Sequence, residues 1–428
     1  MALPNKDRIK SLIINNKKVI ENYFFMTLLQ ILNSLFYLII FRYLMKTLGS
    51  DAYGIQVYVL SIVTIFNTFI TFGTDMPGVK RISQNKNNEE VKRETLSVIF
   101  TAKVYLGIIA MLVFPLLIFL DSDMRENWVV SFILFAQILN PIFFPTWFFQ
   151  GIQKMRVVTY IQLFFKLLSL PFIFLMVKSP DDLWIYALIT TLTFVLGGFS
   201  ATSLILFKYK LKIYWASFAE VKECLKDSFA FFLSNSTGII KEQSIRIIIA
   251  KFIGFSDVTI YDLANKIIMV PRTLVMSING ALFPKLIENI RNSVVKKIIR
   301  IEVGLGLLTI IFIALIGKYV VYLLGAGLLP EAYPIAVILS VTVLTWLVVG
   351  AYIDFVFVPN NKYYFVSKNQ LSALLSFFIF CFIGMQFAQN VYVLASSIAL
   401  SGLVEIGYCV YLTKKYKLLE EDKYNTNV

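Results

Sequence analysis

Histidine is absent from the 428 residues. That removes the common imidazole metal ligand, the commonest general base and every Ser-His-Asp or Cys-His catalytic arrangement. Cysteine is nearly absent too: Cys224, Cys381 and Cys409 are dispersed without a CxxC pair, so neither a disulfide framework nor a thiolate metal site is indicated. Charged residues are only 15% of the chain, and 26 acidic against 40 basic residues leave a net charge of +14. Glycine-rich phosphate loops are missing, because Gly325 and Gly327 lack the Lys-Ser or Lys-Thr that completes a nucleotide-binding loop. No catalytic residue, metal or cofactor is implied.

What remains is apolar: 58% of residues are hydrophobic, 15% aromatic, and the mean hydropathy is +0.74. A soluble domain is nearer 45–50% apolar and about 25% charged. Apolar stretches of bilayer length run over 23–45, 52–73, 96–120, 128–149, 158–177, 183–207, 228–253, 258–283, 301–324, 333–358, 365–388 and 391–412. The reading is an all-α polytopic membrane protein of about twelve transmembrane helices in two six-helix lobes. Basic residues concentrate in alternate connections, 28 on one side against three on the other, which places both termini in the cytoplasm. No cleaved signal peptide is read at the N-terminus. The expected organisation is a cytoplasmic segment 1–22, an N-lobe 23–207, a basic cytoplasmic linker 208–227, a C-lobe 228–412 and a cytoplasmic tail 413–428.

The seventh and eighth stretches are the most polar. A competing topology has ten spans with residues 208–300 cytoplasmic, and a short internal similarity argues for twelve. LGSDAYGIQVYV (48–59) and IGFSDVTIYDLA (253–264) align at Gly49 and Gly254, each a glycine turn entering a helix, as a parallel duplication requires. Outer polar connections are short, the longest about seven residues at 121–127. Membrane glycosyltransferases and polymerases usually need a larger soluble part, so transport leads.

Nine basic residues fall inside the expected spans, with Lys368 at the head of 365–388 counted with its connection. Arg42, Lys103, Lys251 and Lys318 lie near span ends, where they can snorkel to headgroups. Prolines 115, 141, 145, 171 and 271 interrupt helices and are read as tolerated kinks or hinges. Facing lipid, Lys241, Glu242, Arg246, Asp262, Lys266 and Arg272 would together cost about 15 to 20 kcal/mol. At about 100° per residue, Asp262, Asn265, Lys266, Met269, Arg272, Thr273, Ser277 and Gly280 share one polar face. The i,i+4 spacing pairs Glu242 with Arg246 and Asp262 with Lys266, leaving Lys241 and Arg272 unmatched on their own helices. Two readings follow: a static buried network, or a wet cationic cavity lined by Lys241, Arg246, Lys266, Arg272 and Lys166 for a phosphorylated cargo. Asp354 and Glu405 stand alone in their spans, where each either couples transport to H⁺ or Na⁺ or is neutralised by a basic neighbour.

Three stretches carry a family resemblance: RYLMKTLGSDAYGIQVYVLSIV (42–63) running on to TFGTDMPGVKRIS (71–83), WFFQGIQKMRVVTYIQLFFKLLSLP (147–171), and YDLANKIIMVPRTLVMSINGALFPKL (261–286). They resemble the Wzx-type polysaccharide flippases of the multidrug/oligosaccharidyl-lipid/polysaccharide (MOP) exporter superfamily. The resemblance implies a bacterial inner-membrane flippase that moves an undecaprenyl-diphosphate-linked oligosaccharide by alternating access, for O-antigen, capsule or exopolysaccharide. It maps the family's cationic cavity onto Lys241, Arg246, Lys266 and Arg272, with Glu242 and Asp262 holding the cations. It also implies the lipid bilayer, a polysaccharide polymerase and a chain-length regulator as partners, and no nucleic acid. Three rivals stay open: an ion-coupled drug antiporter of the same fold, a membrane polymerase or ligase, and a non-transporting scaffold.

Overall fold

The computed structural model describes residues 17–287 and 292–419, without the side chains of 17–20, 22, 23, 30, 34, 35 and 274–287. Most of the expected segment 1–22, the end of the expected tail, and the side chains of Ser277 and Lys285 therefore lie outside the described residues. The described chain is all α-helical. In order the helices are α1 (Lys17–Thr47), α2 (Gly49–Thr71), α3 (Asp75–Gln84), α4 (Glu89–Leu120), α5 (Ser122–Glu126), α6 (Trp128–Phe135), α7 (Leu139–Phe143), α8 (Thr146–Gly151) and α9 (Met155–Met176). There follow α10 (Leu183–Phe207), α11 (Phe218–Phe252), α12 (Phe255–Ile287), α13 (Asn292–Leu324), α14 (Ala332–Tyr352), α15 (Tyr363–Phe387) and α16 (Val391–Lys415).

Among the described residues ten spans are long and apolar enough to cross a membrane. They are α1, α2, α4, α6–α8 taken together, α9, α10, α13, α14, α15 and α16. Charge, not length, sets α11 and α12 apart. Their 35 and 33 residues reach about 50 Å at 1.5 Å per residue. The large side chains on the outside are apolar, with Leu112 70%, Leu116 62% and Leu120 78% exposed on α4 and Leu315 70% exposed on α13. Monomeric soluble proteins rarely leave such continuous apolar surface in water, so the solvent of these faces is lipid. The chain is a multi-pass membrane protein.

The chain forms two compact units, Met1–Ile40 with Ile62–Asn235, and Phe41–Ser61 with Ser236–Val428. In the first, Ile82, Leu96, Trp147, Phe148, Phe149, Met155 and Ile205 form a buried core drawn from α3, α4, α8, α9 and α10. The apolar stretch expected as one helix over 128–149 is broken. A 3-10 turn occupies Ala136–Ile138, and Phe144 leaves helical geometry at φ −112°, ψ 78°. The cause is Pro145, which disfavours helical backbone at the residue before it and supplies no N–H. Pro115 and Pro171 sit inside unbroken α4 and α9.

Gly73 ends α2 with φ +69°, and a Cβ there would fall 2.5 Å from the backbone nitrogen of Phe232. Only glycine satisfies both demands. The turn delivers Asp75 to the start of α3, where its carboxylate meets Lys103 Nζ at 2.7 Å. Lys103 is 2% exposed, so the snorkelling expected for it is corrected: a neighbouring carboxylate made burial the cheaper state. Arg42, Lys251 and Lys318 are exposed. Residues 208–217 run along α4, where Ser97 Oγ accepts from the Tyr214 N–H at 3.1 Å and Thr101 Oγ1 from the Ala216 N–H at 3.2 Å. Ser217 and Glu220 then cap α11 reciprocally.

In the second unit α14 packs against α12, α13 and α16, and α15 against α16. Val295, Val348, Tyr352, Phe357, Phe365 and Cys409 are central to its core. The α14 helix ends in a π turn, Ile353–Phe357. The two similar glycine turns touch each other. Thr259 Oγ1 donates to the Ser50 carbonyl at 2.6 Å, and a Cβ on Gly54 would fall 1.9 Å from the Phe255 carbonyl oxygen. In the alignment of Gly49 with Gly254, Ser50 matches Phe255 and Gly54 matches Thr259. The two contacts are therefore the same contact with the copies exchanged, the mark of a two-fold relation.

Candidate functional site

Seven of the nine residues expected at the site lie on α11, α12 and α16 of the second unit. Lys241, Glu242 and Arg246 come from α11, Asp262, Lys266 and Arg272 from α12, and Glu405 from α16. The α11 helix carries Lys241, Glu242 and Arg246 at spacings of one and four, and α12 repeats its polar positions at 262, 266 and 272–273, so each presents one charged stripe.

Arg246 and Asp262 form the closed pair. Their side chains are 11% and 4% exposed, with Nε 3.6 Å from Oδ1. The Tyr53 hydroxyl donates to the second Asp262 oxygen at 3.2 Å. Arg246 Nη1 donates to the Glu242 carbonyl at 3.0 Å and to Gln243 Oε1 at 3.1 Å. Tyr261 lies under the guanidinium, 5.8 Å from its carbon.

Arg272 and Glu242 form an open pair. Nη1 is 3.2 Å from Oε1, and the side chains are 23% and 40% exposed. Trp346 of α14 faces the guanidinium at 5.0 Å. The Glu242 carboxylate is the most accessible of the four charged groups in these two pairs. Lys241 Nζ lies 3.6 Å from Glu405 Oε1, both side chains 15% exposed.

The expected i,i+4 pairing is corrected at Glu242: its carboxylate goes to Arg272 on the next helix, and Arg246 takes only its backbone carbonyl. Lys241 and Arg272, unmatched on their own helices, find Glu405 and Glu242. Two packed helices bring side chains from 30 residues apart as close as a helical turn does, and the i,i+4 rule considers one helix alone. Lys266 is partly buried on the same α12 stripe.

Two expected residues sit elsewhere. Lys166 of α9 belongs to the first unit, where its Nζ donates to Asn33 and lies 5.4 Å from the Phe36 ring centroid. Asp354 stands on the π turn, partly buried, and among the described residues no basic group is in ion-pair contact with it. Two participants escaped the sequence reading. Tyr53 and Trp346 were missed because aromatic residues in membrane helices read first as packing or interfacial belt. With the open Arg272–Glu242 pair, the arrangement can hold an anion by charge-assisted hydrogen bonds. It offers no nucleophile with a base beside it, and no three His, Cys, Asp or Glu among the described residues are placed to hold a metal.

Residues 19–290 match the polysaccharide biosynthesis protein family. Two similar proteins carry the name "Putative O-antigen transporter". That of Escherichia coli (strain K12) is 23% identical over 316 residues, 74% of this chain and 75% of its own. That of Shigella dysenteriae is 24% identical over 260 residues, 59% of this chain and 64% of its own. Among solved structures, the lipid II flippase MurJ in an inward closed conformation superposes with TM-score 0.65 at 12% identity, over 90% of this chain and 87% of that one. An inward-facing multidrug resistance MATE family transporter of the MOP superfamily gives 0.64 at 14% identity, over 91% and 99%. The match spans more than half the chain and includes both charged helices. With it the resemblance read from three sequence stretches is borne out: this chain belongs to the polysaccharide biosynthesis protein family, as a Wzx-type member with the MOP-superfamily fold.

Proposed function

We infer that the protein is a transporter of lipid-linked oligosaccharide in the bacterial inner membrane, a flippase for the repeat units of O-antigen or another surface polysaccharide. The carrier is undecaprenyl diphosphate, and the cycle is alternating access. The observation that carries this reading is the open Arg272–Glu242 pair, 23% and 40% exposed, set among further cations on α11 and α12. A phosphorylated headgroup supplies the anion such a site accepts, while a polyprenyl tail stays in lipid. The names of the relatives, which are transporters and not enzymes, support the same class. In this reading α11 and α12 cross the bilayer with the ten apolar spans, both termini are cytoplasmic, and the water-facing Glu242 is what makes the crossing tolerable.

Arg272, Lys266 and Lys241 contact the headgroup, and Arg246 with Asp262 holds α11 to α12. Asp354, with no basic neighbour in contact among the described residues, is the better placed of the two candidate carboxylates for a coupling H⁺ or Na⁺, because Glu405 is engaged by Lys241. The test is deletion of the gene followed by locating lipid-linked repeat units. Accumulation on the cytoplasmic leaflet supports the reading, and loss of chain elongation with repeat units already on the outer leaflet would replace it with a polymerase.

A further inference from the structure

Three helices meet at Arg272 with three kinds of contact. The Glu242 carboxylate of α11 takes the guanidinium edge at 3.2 Å. Trp346 of α14 takes its face, the guanidinium carbon lying 5.0 Å from the ring centroid. Met269, one turn back on α12, lies 3.6 Å from the same Nη1 through its sulfur. Face and edge are independent resources of a guanidinium: the ring quadrupole attracts the flat cation, while the N–H donors project outward in the plane. A ligand that replaces the carboxylate therefore leaves the stacking intact.

The carboxylate is the replaceable partner. Glu242 brings one negative charge and two acceptor oxygens, and its side chain is 40% exposed, so it can turn to water when displaced. A diphosphate brings more charge and more oxygens in the geometry a planar fork reads. Without a resident anion, Arg272 would stand uncompensated between transport events, which is the costly state for a partly buried charge.

We propose that Trp346 is the platform on which Arg272 exchanges the Glu242 carboxylate for the diphosphate of a lipid-linked cargo. The proposal rests on the functional reading above, in which Arg272 receives the anionic headgroup. Trp346 is a positioning residue, since it acts through Arg272. Glu242 is a resident anion that occupies the donor edge until cargo arrives. The site thereby selects ligands with more charge and more acceptor oxygens than a single carboxylate, diphosphates ahead of monoanions.

The test uses the full-length purified protein in detergent with farnesyl diphosphate as probe, measuring affinity by calorimetry and following tryptophan emission. R272A is expected to weaken binding about tenfold or more, the worth of a charge-assisted contact. W346L is expected to weaken it about fivefold, with W346F recovering most of that because it keeps a ring face for the cation. E242Q is expected to tighten binding about two- to fivefold by removing the competing charge. The probe should also change tryptophan emission in the wild type and not in W346F. A merely structural role for Trp346 would move neither the E242Q affinity nor the emission signal. If W346L binds like the wild type, or E242Q binds more weakly, while R272A is still impaired, the exchange platform is overturned and the functional reading stands. If R272A binds like the wild type, the functional reading itself falls. Should W346L fail to fold, W346F emission and E242Q affinity decide the matter.

Discussion

The same two helices hold two arginine–carboxylate pairs of opposite sense, Arg246 of α11 to Asp262 of α12 and Glu242 of α11 to Arg272 of α12. Their environments differ. The first is closed, its side chains 11% and 4% exposed, while the second is open at 23% and 40%. In the first, Asp262 also accepts from Tyr53 and Arg246 donates to a carbonyl and a side-chain amide. In the second, Arg272 also meets a ring face and a sulfur. A desolvated pair whose hydrogen bonds are satisfied is expensive to break and has nothing to offer a ligand. An accessible pair loses less on exchange. The difference teaches that charge on a helix is not by itself a binding site: accessibility separates a pair closed into the packing from a pair open to a ligand.

The contrast can be broken most strongly at the closed pair. Asp262→Ala leaves Arg246 buried without its carboxylate and should cost about 3–5 kcal/mol of stability, seen as loss of folded protein on size-exclusion chromatography and a lowered melting temperature. Arg272→Ala should leave the melting temperature within a few degrees yet weaken cargo binding by about 1.5–3 kcal/mol; measured in cells, surface polysaccharide falls while protein level holds, most severely with Lys266→Ala added. A destabilised R272A protein with unchanged polysaccharide would reverse the assignment of the two pairs. Tyr53→Phe removes one hydrogen bond from Asp262 and should cost about 1 kcal/mol of stability, with transport corrected for protein level unchanged. Lys318→Ala, at an exposed span end, should shift stability by less than about 0.5 kcal/mol, which calibrates the other three in the same thermal assay.

Much of this was legible beforehand. The all-helical fold follows from apolar runs that only lipid can solvate, and the charged stripe of α12 follows from the cost of facing it outward. The break at Phe144–Pro145 was legible only in part, because a proline in an apolar run reads equally as a kink, as Pro115 and Pro171 show by sitting in unbroken helices. Lys103 was misjudged because its place near a span end suggested snorkelling, while the turn at Gly73 brings Asp75 to it from 28 residues away. Trp346 gave no usable signal, since its significance lies in a guanidinium from another helix.

By itself the sequence determined the solvent of this protein, the inventory of charges that lipid cannot accept, and the pair of similar glycine turns that the fold then set against one another through Ser50 with Thr259 and Gly54 with Phe255. Those are properties of composition and spacing along one strand of chain. Only the tertiary structure decided which carboxylate each cation received and which pair remained open. Helix packing sets distances between residues tens of positions apart, and water access depends on the neighbours that surround a charge.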